Sequence, residues 1–395
     1  MNRTNIYLSS KPRYEILDGL RGVAALVVVA FHLFETYSPG VPHQIINHGY
    51  LAVDFFFALS GFVIGYAYDD RWDRMTVWSF IRRRLIRLHP MLIFGTAFGA
   101  ALYYFGGDWP GFEIIGRTPW WKVVVCMLLC MVMIPVPKAL EIRGWGEMNP
   151  LNGATWSLFW EYAANLMYAL FVRRFSKAAL GCCVALFAAA TVVLCMNVDP
   201  FGVLASRSYA AYTVIGGWEI SAAQIQIGLT RLLYPFFCGL LLSRTGRTVS
   251  LRGGFWWCSL LIVAALAMPR VGGSDPGCFW MNGLYEAVCI LVLFPLVIAI
   301  GAGSGVSGRK SVAVCRFLGD ISYPLYVTHY PLIYVQMSWA ATHGDLPAST
   351  HAFVAAAIFA LALFVAYASL KAYDEPVRER LKELLFGKKT EYGKE

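Results

Sequence analysis

The chain has 395 residues, of which 58% are hydrophobic and only 14% charged. A soluble domain carries about 25% charged residues, so the composition excludes an ordinary soluble protein and indicates an all-α, polytopic membrane protein. The net charge of +9 then reflects basic loops gathered on one membrane side, and no nucleic-acid partner is expected.

The N-terminal lead, residues 2–13, is short and basic, and Asp18 and Arg21 stand inside the first apolar run. That pattern is not a cleavable signal peptide. The run itself, 14–37, reads LDGLRGVAALVVVAFHLFETY over most of its length. Arg21 and His32 are eleven positions apart in it, close to three helical turns, so they share one face. The rise between them is roughly 16 Å, about half of a hydrocarbon core of roughly 30 Å. With Arg21 at one membrane edge, His32 reaches the middle. A core histidine bonded to a neighbouring helix is the plainer reading, but the shared face favours function. A titratable imidazole at that depth suits a general base, and an edge arginine suits an anion clamp. Asp18 and Glu35 each lie three residues outside the pair, near the same face.

Span two, 50–68, contains FFFALSGFVI with Ser60–Gly61, a pair that permits close backbone approach. It is not a nucleophile elbow, so Ser60 is read as cavity-lining and not as a nucleophile. Span three, 87–106, is preceded by FIRRRLIRLHP. Membrane anchoring alone accounts for four or five arginines. Arg84 and Arg87, three apart on one face beside a helix start broken by Pro90, also suit polyphosphate binding. Gly95 and Gly99 form a small-residue packing motif. The next run, 121–137, is short and ends on Pro135 and Pro137, which predicts a re-entrant or interfacial segment.

Further spans are expected near 155–173, 178–196, 225–244, 254–270, 281–302, 318–340 and 351–373. With 121–137 set aside, ten crossings result, and the arginine clusters around 71–87, 173–177, 244–252, 309–316 and 371–389 fall on one side with both termini. The opposite side then holds 38–49, 107–154, 197–224, 271–280 and 341–350. The fifth run, ATWSLFWEYAANLMYAL, carries Trp156, Ser157 and Glu161 near that opposite side. Span 318–340, LGDISYPLYVTHYPLI, carries Ser322, Tyr323, Tyr326 and His329, the last two on one face. Nearly all of the ten cysteines lie in apolar runs, so packing is expected of them and no metal site or disulfide framework. The chain reads as one membrane unit over 1–395, with a core at 14–376 and a basic tail at 377–395.

Taken together these motifs resemble the acyltransferase-3 family of integral membrane acyltransferases. The elements are Arg-x10-His in span one, FF-x-x-SGF in span two and R-x-x-R before a proline. WSL-x-x-E, LG-x-ISY-x-x-Y-x-x-H and a closing YASLKAYDEP follow in family order. They cover residues 17–376, nearly the whole chain. The resemblance implies ten crossings and transfer of an acyl group, most often acetyl, from cytoplasmic acyl-CoA to a hydroxyl, usually on a sugar. It also implies that Arg21 and His32 are essential. Phe159 and Trp160 stand where many relatives carry small or acidic residues, and Tyr162–Ala163 replaces a usual polar pair, which bears on acceptor choice.

The expected enzyme is a bacterial inner-membrane O-acyltransferase, multi-pass, with both termini cytoplasmic and no tightly bound cofactor. Arg21, Arg84 and Arg87 would hold the phosphates of acyl-CoA. His32 would activate the acceptor hydroxyl of a carbohydrate or lipid-linked glycan, or briefly carry the acyl group. Glu161 and His329 would line the far half of the cavity and orient the acceptor or His32, and Ser60, Ser157 and Tyr326 would contact the acceptor or line the cavity. Two other readings stay open: a proton-coupled transporter or exporter of an acylated or anionic solute, using His32 and Glu161, and a scaffold whose polar residues join helices.

Overall fold

In the computed structural model, residues 11–38, 40, 43–106, 112–205 and 210–387 are described. The first part of the basic lead, residues 2–10, and Lys388 and Lys389 of the tail lie outside the described residues.

The apolar runs fold as helices because the bilayer leaves backbone polar groups no water to bond. Thirteen α-helices are found among the described residues, in the order α1 Glu15–Glu35, α2 Ala52–Tyr68, α3 Val77–Phe105, α4 Trp120–Met131, α5 Trp156–Leu170, α6 Lys177–Cys195 and α7 Ala222–Thr245. They continue as α8 Gly254–Ala267, α9 Phe279–Val288, α10 Phe294–Gly303, α11 Arg309–Thr342, α12 Ala348–Ser369 and α13 Glu375–Phe386. A π-helical stretch, Cys289–Leu293, joins α9 and α10 into one rod, and a second, Leu370–Asp374, joins α12 to α13.

Among the described residues, seven helical segments are long and apolar enough to cross a membrane: α1, α2, α3, α6, α7, the α9–α10 rod and the α12–α13 rod. The expected figure of ten adds α5, α8 and α11. Of these, α5 and α8 have 15 and 14 residues. The third, α11, has 34 residues, but its tyrosines, prolines and histidine lower its hydropathy. Helix α4 has 12 residues, about 18 Å of helix, too short for a core of roughly 30 Å. Its chain then runs without α-helix to α5, and the Val136 amide donates to the Met148 carbonyl at 2.8 Å, folding this segment back on itself.

Helix α3 corrects one expectation. It does not begin at a break near Pro90 but runs unbroken from Val77 through Pro90 to Phe105, capped by the Thr76 hydroxyl on the Ser79 amide. A proline inside a membrane helix removes one backbone bond, and packed neighbours compensate. Arg82, Arg83, Arg84 and Arg87 therefore project from the first three turns of a continuous helix. Further along it, a Cβ at Gly95 would collide with Val327 of α11, and one at Gly99 with the Leu151 carbonyl. The small-residue motif lets α3 close on α11 and on the segment after α4.

Helices α1 and α11 pack along their lengths, and α2 and α7 form a second close pair. A Cβ at Gly61 would strike the Phe236 carbonyl of α7, so that glycine serves helix packing. Residues 377–386 of the expected tail belong to α13, which packs on α3. All ten cysteines are free thiols.

Candidate active site

One end of the bundle is basic because α1, the residues just before it and α3 deliver arginines to it. Arg21 of α1 donates to Asp18 at 2.7 Å, and Arg13 donates to the other oxygen of Asp18 at 2.9 Å. A second nitrogen of Arg13 reaches Asp320 of α11 at 2.9 Å. Arg84 of α3 donates to Glu161 of α5 at 2.9 Å, and the Ser60 hydroxyl of α2 donates to the same oxygen at 3.3 Å. Arg87 makes no hydrogen bond among the described residues, yet it lies within electrostatic reach of Arg21, Arg84 and Asp18. A guanidinium cannot shed its proton to escape such crowding, so an anion at this end would relieve it.

Deeper in the bundle stands a second group. His32 Nδ1 and Glu35 Oε2 are 2.7 Å apart, one helical turn of α1. The carboxylate accepts, so Nδ1 carries a proton, which in the neutral form of the ring leaves a lone pair on Nε2. Across from it is His329 of α11, with ring centroids 5.5 Å apart. His329 is fully buried, and its Nδ1 donates to the carbonyls of Leu325 and Tyr326 at 3.0 and 2.9 Å. Its Nε2 has no partner among the described residues. The edge of Tyr330 meets the His32 ring at 4.7 Å. The two imidazoles thus face one another, and neither Nε2 makes a hydrogen bond among the described residues. Beside them Tyr326 donates to the Ala154 carbonyl at 2.9 Å and takes the Ser157 hydroxyl at 2.7 Å, which ties α5 to α11.

The expected residues therefore separate by depth. Arg21, Arg84, Arg87, Ser60 and Glu161 gather at the basic end, while His32, His329, Tyr326 and Ser157 lie further in. Glu161 is brought to Arg84 and not to His32, so it meets the expected anion clamp and not the expected far half of the cavity.

On the side of His32 away from the arginines, the segment after α4 inserts a carboxylate. Glu147 takes the Tyr334 hydroxyl at 2.7 Å, and Arg143 stacks on the Tyr334 ring at 3.5 Å. Burial pushes the Glu147 carboxyl up to about 7, outweighing the opposite pull of Arg143 and of the Tyr334 bond. Unfolded, this group titrates near 4.5. Between the two values the unfolded chain releases its proton first, so the contribution of Glu147 to stability falls as pH rises and levels off above about 7. In detergent, the melting temperature of Glu147→Gln relative to the parent chain should therefore rise across that interval. Parallel melting curves would place the carboxyl in the ordinary range.

A family model described as an acyltransferase domain matches residues 14–370. The chain belongs to the acyltransferase-3 family. With its apolar helices it is a membrane O-acyltransferase. Among relatives of this acyltransferase, a Rhizobium radiobacter protein named protein 2 in picA locus is 32% identical over 41% of this chain and 83% of its own. The acyltransferase MdmB of Streptomyces mycarofaciens is 29% identical over 81% of this chain and 79% of its own. YrhL of Bacillus subtilis (strain 168), provisionally named a peptidoglycan O-acetyltransferase, is 24% identical over 80% of this chain and 48% of its own. No solved structure matches.

The acyltransferase also carries buried charge that motif reading passed over. Asp54 of α2 and Arg231 of α7 pair at 2.7 Å with side chains 0% and 1% exposed. Next to them Glu286 of α9 takes the Tyr50 hydroxyl at 2.5 Å, the Val214 amide at 2.7 Å and the Asn282 amide at 2.6 Å. His48 reaches Asn282 at 3.0 Å and the Met268 carbonyl at 2.7 Å. The signal was present: Asp54, Arg231 and Glu286 are ionisable residues inside apolar runs, the same feature that singled out His32.

Proposed function

We propose that this acyltransferase moves an acetyl group from cytoplasmic acetyl-CoA to a hydroxyl of an envelope glycan, in a bacterial inner membrane, with both termini cytoplasmic. The observation that carries the reading is the pairing, in one bundle, of an arginine-lined end with an oriented imidazole deeper in. The arginines suit the phosphates of the donor, and the His32–Glu35 pair suits proton removal from a hydroxyl. His32 Nε2 takes the proton as the acceptor oxygen attacks the thioester carbonyl. The carbon–sulfur bond then breaks, and the imidazolium returns that proton to the CoA thiolate. Glu35 steadies the imidazolium while it lasts. Arg84, held by Glu161, and Arg87 grip phosphate, and Arg21 extends the same clamp. The peptidoglycan O-acetyltransferase name of a relative supports a glycan acceptor.

Purified protein in nanodiscs should release free CoA thiol from acetyl-CoA when given envelope glycan. Mass spectrometry of that glycan from cells with and without the protein should show a lost acetyl group. Absence of both results would overturn the reading. Orientation is tested separately with cysteines placed at Ala139 and Lys177, both exposed, in a background lacking reactive cysteines. An impermeant thiol reagent on spheroplasts should label position 139 and spare 177. The reverse pattern would place the arginine clusters outside.

A further inference from the structure

The C-terminal helix α13 reaches the arginine-lined end, where no expectation had put it. The π-helical stretch Leu370–Asp374 continues α12 into α13 without a loop, the kind of irregularity that re-aims a helix. Arg83 of α3 stacks over Phe386 at 4.1 Å and pins the far end of α13. Asp374, 1% exposed at the junction, holds Arg378 at 2.9 Å. Arg378 then lies within electrostatic reach of Arg87, and so does the exposed Lys382.

The hydrogen bonds at this end leave donors unspent. Arg21, Arg84 and Arg378 each bond one carboxylate, from Asp18, Glu161 and Asp374. Arg87 and Lys382 bond none among the described residues. The Nε atoms of Arg84 and Arg378 are buried and have no partner among them either. Buried guanidinium donors without acceptors are costly, and several around one point are satisfied together by a phosphate group with its several acceptor oxygens.

We propose that α13 forms a wall of the donor pocket, with Arg378 and Lys382 binding phosphate of the CoA nucleotide opposite Arg84 and Arg87. This rests on the acyl-CoA reading above. It makes Arg378 a binding residue contributed by the last segment of the α12–α13 rod. Asp374 positions it.

CoA binding is measured by calorimetry on the full chain in phosphatidylcholine nanodiscs, which carry no anionic headgroup. Arg378→Gln should weaken CoA about tenfold, the loss of one charge-assisted bond, and Arg378→Lys should recover part of it. Pantetheine, which lacks the phosphates, should bind the parent and Arg378→Gln alike. Equal CoA affinity in parent and Arg378→Gln, with Arg87→Gln weakened, would overturn the α13 wall and leave the donor reading standing. Equal weakening toward CoA and pantetheine would show a structural defect and also overturn it. An Arg378→Gln effect seen only in phosphatidylglycerol nanodiscs would assign the site to a lipid phosphate instead. No CoA binding by the parent would remove the donor reading, and this inference with it.

Discussion

His32→Ala is expected to lower acyl transfer by at least about a hundredfold at matched protein amount, the usual contribution of a positioned general base. The loss should appear in turnover, with the donor KM little changed, because the arginines that hold phosphate lie elsewhere. Folding should survive, since the His32 side chain is 17% exposed and its hydrogen bond runs to Glu35 on the same helix. Glu35→Gln keeps an acceptor for Nδ1 but removes the charge that steadies the imidazolium. It should lose turnover, though less than His32→Ala does. Activity of His32→Ala within tenfold of the parent would remove His32 as the base, and His329, whose Nε2 is also unpartnered, would be the next residue to test.

The depth separation of the site was half visible in the residues themselves. Arg21 and His32 share a helix, so spacing alone placed them on one face at two depths, and the structure keeps both Asp18 and Glu35 beside them. Glu161 illustrates the limit. Its position near the start of a span suggested the far half of the cavity. Which helix lies opposite depends on packing between elements distant in sequence, and α3 brings Arg84 to it from 77 positions away. Helix α3 itself was misjudged at Pro90, because a local rule about proline yields to neighbours that sequence does not reveal. The same holds for α13. A basic, amphipathic stretch after the last apolar run reads as a free tail until Arg83 and Phe386 are seen to meet. The apolar spans were legible because composition acts locally, while the partners of buried charge are set by tertiary contacts.

Single substitutions of the Asp54–Arg231 pair should reduce folded protein more than any change at the donor end. The pair joins α2 to α7 with the two side chains 0% and 1% exposed. Arg231 also donates to the Gly216 carbonyl at 3.1 Å and the Tyr50 carbonyl at 2.6 Å, with its guanidinium 5.1 Å from the Trp156 ring centre. It thus fastens two connecting segments as well as two helices. Arg231→Met strands a buried carboxylate and two carbonyls, and Asp54→Leu strands a buried guanidinium. Each should cost about 3–5 kcal/mol, enough to empty the monodisperse peak in detergent chromatography. The double variant removes both charges together and should recover part of that loss, although the two carbonyls stay unpaired. The recovery is what identifies charge pairing as the cause, since two unrelated packing defects would add. If the double variant folds worse than either single one, the pair is not an isolated compensated unit. Arg231 would then act chiefly through the Gly216 and Tyr50 carbonyls, and Arg231→Lys would be the more informative substitution, because a single ammonium cannot reach all three acceptors.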